Sequence, residues 1–220
     1  MKTHHHLDDA TLLSYSAGAL PAALAVVASA HLERCAECRE HLLDADQIGG
    51  VLLHQQRADA PAENARASML ALLDDAPIVE TANLHAEAVE ERDPDRLPSA
   101  LHPWFGNSMR ALRWRRVAPG VQRILASGIN GGDLMLLRIA PGSKLPLHSH
   151  AGNELTLILD GAYDDMLGHF GPGDVADLDG ETLHQPVTSP GVPCICVAAT
   201  DGPLKFSGWL ARTLQPLFGF

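Results

Sequence analysis

The spacing of apolar residues changes part-way along this chain, and that change limits what it can fold into. From residue 8 to about 75 they recur at helical intervals, whereas from Trp104 onward they come in short runs broken by glycine and proline. A chain patterned this way is a multidomain α + β protein, with a small helical bundle first and a compact β-barrel or sandwich second. At 220 residues both halves have enough chain to enclose a core.

In the helical half, Asp8 and Asp9 suit the start of a first helix carrying Leu12, Tyr15 and Ala19, and Pro21 suits the opening turn of a second. Leu24, Val27 and His31 share a stripe on that second helix. A third runs from about Ala36 past Leu42, Ala45, Leu52 and Leu53, with Gly49-Gly50 weakening its middle. A short fourth, in ENARASMLALLDD, spreads Met69, Leu70, Leu72 and Leu73 over more than one face. That spread suits either ordinary core packing or the groove of a partner. Residues 79–103, rich in charge and proline, read as a linker between a domain at 1–78 and one at 104–220. In the second domain LMLLRIA, NELTLILD and PCICVAAT read as strands, with Pro141-Gly142, Gly161 and GPGD (171–174) as turns.

No run is long and apolar enough to span a membrane, and the start lacks the pattern of an export signal, so a soluble cytoplasmic protein is expected. The four cysteines are too few for a disulfide framework; their close pairing, 35 with 38 and 194 with 196, points to metal or redox chemistry in a reducing compartment. The net charge of −11 is uneven: residues 1–80 hold 5 Lys and Arg against 12 Asp and Glu, and residues 104–220 hold 9 against 10. An acidic first half repels phosphate and disfavours direct nucleic-acid binding, while it would attract a basic protein surface.

HLERCAECRE (31–40) holds the first candidate site. Cys35 and Cys38, three residues apart at the entry to the third helix, can converge on one ion, and His31 can reach it from the second helix. A fourth ligand from His4, His5 or His6 would close a His2Cys2 shell with no position open to substrate. The competing readings are buried small hydrophobes beside a tag fragment, and a redox-active CxxC. The full spacing, H-x24-H-x3-C-x2-C followed from Asp8 by DDATLLSYSAGALP, resembles the zinc-binding anti-sigma domain of bacterial anti-sigma factors of the ChrR type, over about residues 6–75. The resemblance implies that His6, His31, Cys35 and Cys38 hold Zn2+. It also implies a small bundle with a detached fourth helix that clamps an extracytoplasmic-function (ECF) sigma factor.

The second candidate site lies in GSKLPLHSHAGNELTLILDG (142–161). Strand alternation puts His148 and His150 on one side, Glu154 arrives on the next strand, and His184 is available from a later one. Three imidazoles and a carboxylate suit Zn2+ or another divalent metal. The spacing G-x5-H-x-H-x3-E-x6-G resembles the first cupin motif at every defined position. The second cupin motif matches at Gly173 and Asp174 and departs at Asp179, Glu181 and Thr188. The remaining histidines, His41, His54, His85, His102 and His169, carry no comparable spacing. Cys194 and Cys196 share one strand face and read as core packing, with a redox role as the alternative.

An anti-sigma domain joined to a cupin is the ChrR arrangement. The resemblance therefore implies a regulator, not an enzyme, that inhibits an ECF-type sigma factor and releases it on oxidative stress of the singlet-oxygen type sensed by the cupin. The rival is a metal-dependent cupin dioxygenase or isomerase with a helical assembly domain. A zinc-bearing factor that binds DNA directly is disfavoured by the acidic first half.

Overall fold

The structure is a computed structural model that describes residues 3–57, 61–74, 93 and 95–206. Helix α1 (Asp9–Ser16) buries Leu12, α2 (Ala22–Leu32) follows Pro21, and α3 (Ala36–Gln55) runs unbroken through Gly49 and Gly50. Asp8 holds the N-cap position of α1, but its carboxylate caps nothing; its N–H instead donates to Asp177 Oδ2 at 3.0 Å. Helix α4 (Ala65–Asp74) carries Met69, Leu70, Leu72 and Leu73, all exposed, and α3 exposes Ile48, Val51, Leu52 and Leu53 along its second half.

The β half contains β1 (Arg115–Ala118), β2 (Val121–Leu125), β3 (Asp133–Ile139), β4 (His148–His150), β5 (Glu154–Asp160) and β6 (Tyr163–Asp165). It continues with β7 (Gly168–Phe170), β8 (Val175–Leu178), β9 (Val187–Thr188), β10 (Cys194–Thr200) and β11 (Leu204–Phe206). A six-stranded sheet ordered β1-β2-β3-β10-β5-β8 forms one wall. The small sheets β7-β6-β9 and β11-β4 complete the sandwich around a cavity.

Register decides what each face of the large sheet does. Leu157, Val197 and Leu136 lie side by side across β5, β10 and β3, and so do Ile158, Cys196 and Leu137 in the next row. Because side chains alternate along a strand, the two rows face opposite ways. The first row joins a core cluster with Leu24, Val27 and Ala28 of α2, and the second faces the barrel interior with Tyr163 and Phe170. Both faces are therefore buried, which is why LTLILD and LMLLRIA read as near-continuous apolar runs and not as an alternation.

Helix α2 is the element this arrangement sandwiches. Ala23, Leu24, Val27, Ala28, Ala30, His31 and Leu32 are all buried, and only Ala22 is exposed along it. The stretch read as a linker joins the same cluster at its far end: Leu97 and Leu101 are buried, and a 3-10 turn at Ser99–Leu101 leads into α5 (His102–Phe105). Glu33 at the end of α2 holds that turn, accepting from Ser99 N, Ser99 Oγ and Ala100 N at 2.7–2.9 Å. Residues 75–92, which follow α4 and include His85, and residue 94 lie outside the described residues.

Candidate metal centres

The structure gathers the eight candidate ligands into two groups of four, His6 with His31, Cys35 and Cys38, and His148 with His150, Glu154 and His184. Within each group the ligand atoms all lie within 4.8 Å of one another.

The first group forms where three segments meet. Cys35 is the N-cap of α3, and its Sγ accepts from Cys38 N at 3.4 Å, so the sulfur sits at the positive end of the helix dipole. His31 Nε2 lies 3.2 Å from Cys38 Sγ, and His6 Nδ1 lies 3.2 Å from Cys35 Sγ. Of the three consecutive histidines, His6 alone reaches the sulfurs: the His5 ring stacks on Phe170 at 3.9 Å and bonds His169 O, and His4 is exposed. The outer ring nitrogens are also engaged, His6 Nε2 by Glu37 Oε2 at 3.4 Å and His31 Nδ1 by Gly173 O at 3.0 Å. Such contacts fix which nitrogen faces inward. Burial lowers the His31 ring to about 4 and raises the Cys38 thiol to about 12. The neutral imidazole is ready to ligate, and only a cation would offset the cost of a buried thiolate.

Gly173 belongs to the β half, so one support of this group comes from the barrel. Its φ of 96° suits glycine, and a Cβ there would meet Thr3 Cγ2 at 3.1 Å. Beside it the buried Asp174 carboxylate accepts from His4 N at 2.6 Å, His5 N at 3.2 Å and Gly171 N at 2.9 Å. The segment that delivers His6 is thus strapped to the edge of β8. Sequence reasoning missed this role of Gly173 and Asp174, although both stood out as motif positions.

The second group sits inside the sandwich, with His148 and His150 on β4, Glu154 opening β5, and His184 bridged to His148 through the backbone. His148 Nδ1 faces Pro146 O at 2.8 Å and His184 Nδ1 faces Asp165 Oδ2 at 3.4 Å. Thr156 Oγ1 donates to Glu154 Oε1 at 2.6 Å, while Glu154 Oε2 meets His150 Nε2. Both nitrogens of His150, Glu154 Oε2 and His184 Nε2 are buried with no hydrogen-bond partner of sound geometry. Four orphaned polar atoms converging in one place have the donor chemistry of a cation site. Burial would raise the Glu154 carboxyl, but the adjoining His150 ring and the His184 and His148 imidazoles outweigh it and hold the group at about 2. His148 is lowered to about 4, chiefly by burial.

The departures from the second cupin motif have local replacements. Asp179 Oδ1 accepts from Glu181 N, Thr182 N and Thr182 Oγ1, building the turn that leads to His184. Thr188 Oγ1 donates to Ala140 O at 2.7 Å and accepts from Ser143 N at 2.8 Å. Cys194 and Cys196 are both buried on the inner face of β10, where contact with Cys194, then burial, pushes the Cys196 thiol up. The other described histidines stand apart: His41 pairs with Asp9, His102 with Leu97 O and His169 with Asp164, and His54 is exposed.

Comparison with known proteins finds similarity along nearly the whole chain. The family model described as "ChrR Cupin-like domain" matches residues 106–204. "Anti-sigma-E factor ChrR" of Cereibacter sphaeroides is 37% identical over 220 residues, covering 99% of each chain. The crystal structure of Rhodobacter sphaeroides SigE in complex with the anti-sigma ChrR matches with a TM-score of 0.74 at 35% identity, covering 91% of this chain and 100% of that one.

Proposed function

Because the chain belongs to the ChrR family of anti-sigma factors, we propose that it binds an ECF-type sigma factor in the cytoplasm, holds it inactive, and releases it when the barrel receives an oxidative signal of the singlet-oxygen type. The observation that carries this reading is end-to-end similarity, through both halves, to a protein solved in complex with a sigma factor. The exposed apolar residues of α3 and α4 add independent support, because Val51, Leu52 and Leu53 at 57–70% exposure and Leu72 at 71% have no cover among the described residues. Such a surface suits a protein partner, and the acidic first half suits a basic one.

His6, His31, Cys35 and Cys38 would hold a structural Zn2+, which supplies folding energy by tying the N-terminal segment to α2 and α3. His148, His150, Glu154 and His184 would hold Zn2+ or another divalent cation at the sensing site. No helix among the described residues is long and apolar enough to cross a membrane.

A signal in the barrel must change the sigma-bound and free states unequally, since an equal effect on both shifts nothing. What supports a route is a short run of hydrogen bonds. Glu154 and Ile158 share β5; Ile158 N donates to Asp174 O and Gly173 N donates to Ile158 O; Gly173 and Asp174 then touch His31 and the His6 segment. The test is to mix the purified full chain with the ECF sigma factors of its own genome. Co-elution with one of them, and repression of transcription that is lost in Cys38→Ala, is the expected result. Binding to none of them would overturn the reading.

A further inference from the structure

The cavity above the His148 group has a lining that selects among ligands. It is about 310 Å³, room for roughly ten water-sized groups. Its walls are apolar, with Val121, Met135, Leu137, Ile139, Leu145 and Pro146 prominent, and its floor is the His3Glu cluster with its orphaned nitrogens and oxygen. Among the described residues Glu154 is the only carboxylate in the lining, against two cationic side chains, Lys144 and Arg123. Lys144 is exposed and forms no ion pair among the described residues. The Tyr163 hydroxyl, kept protonated by burial, also lines the space and makes no hydrogen bond among the described residues.

These features exclude most small-molecule classes. A sugar would leave its hydroxyls unpaired against the apolar wall, and a multiply charged phosphate would waste that wall. A wholly neutral hydrocarbon would leave the Lys144 ammonium and the Tyr163 phenol unused. We propose that the barrel cavity binds a small organic monoanion with an apolar tail, of the medium-chain monocarboxylate class, its carboxylate directed to the polar floor and rim and its chain along Leu137 and Ile139. The occupant would be the molecule that the barrel reads, so this deepens, and rests on, the view of the barrel as the sensing half. Size agrees: ten non-hydrogen atoms, as in octanoate, match the available room.

The experiment titrates the metal-loaded full chain by calorimetry with butyrate, hexanoate, octanoate and octan-1-ol. Octanoate should bind, and each methylene removed should weaken binding about three- to fourfold. Octan-1-ol should bind at least tenfold more weakly. Lys144→Met, an exposed position that the fold tolerates, should weaken octanoate about fivefold and leave the alcohol unchanged. No octanoate binding at millimolar concentration, equal binding of the alcohol, or no dependence on chain length overturns the inference. Repeating the titration on the chain complexed with its sigma factor separates the two ideas. Binding that leaves the complex intact would uphold the site and remove the sensing role, whereas absent binding with intact metal content and sigma inhibition would remove the site alone.

Discussion

At the scale of single residues, Glu154 and His31 show how much of each centre depends on groups that never touch an ion. Thr156 Oγ1 holds one oxygen of Glu154 at 2.6 Å and so aims the other at the imidazoles. Thr156→Val keeps the shape and removes that donor; the barrel metal should then be held 10- to 100-fold more weakly, read by competition with a chromophoric chelator, with the N-terminal metal unaffected. Acid acts on the buried rings. His31 and His148 are lowered to about 4 by burial, so the folded, metal-free chain keeps them neutral while the unfolded chain takes up protons below about 6.5. Stability is therefore full above pH 6.5 and is lost as pH falls toward 4, by up to about 3 kcal/mol for each ring. Urea midpoints of the metal-free protein at pH 7.5 and 5 measure this, and an unchanged midpoint would contradict neutral buried rings. The candidate ligands of both groups were readable from sequence because their spacings are local, and the structure brings each set of four together. Glu37, Thr156 and Asp165 were not, because their roles depend on side-chain directions that no spacing encodes.

At the scale of elements, the edge of β8 does more than close a sheet. Asp174 accepts three backbone N–H groups, two of them from the residues just before His6. Asp174→Ala should cost about 1–3 kcal/mol, because three part-buried N–H groups lose their shared acceptor. It should also speed amide exchange at residues 4–7 and, in chain loaded with zinc, metal loss from the proposed N-terminal site, while Asp174→Asn, which keeps one acceptor oxygen, should lose less. Normal exchange in Asp174→Ala would show that the strap is not needed. The positions of α2, α3, α4, β3, β5 and β10 followed from periodicity and punctuation. The 3-10 turn at Ser99–Leu101 did not, since its proline and charge resemble a connection and its anchor, Glu33, lies 66 residues away from Ser99.

At the scale of the whole molecule, the two halves share a core. Leu157 on the outer face of β5 is fully buried in the cluster that holds Leu24 and Val27, so Leu157→Ala should cost about 2–5 kcal/mol and lower the melting of helix and sheet together. Far-ultraviolet circular dichroism and tryptophan fluorescence, to which Trp104 and Trp114 beside that cluster contribute two of the chain's three tryptophans, should give coincident transitions. Separate transitions would mean two independently stable units. The covering of the outer sheet face was not legible, because a hydrophobic run does not say whether helix, sheet or partner packs on it.

Helix α2 is enclosed on nearly every side, with the small helices at its back and the large sheet in front. Its residues have thus been fitted to two surfaces encoded far apart in the gene. Recombination between relatives at the stretch around residues 75–92 would join a helix to a sheet it has never met, so the two halves are expected to drift and be inherited as one unit.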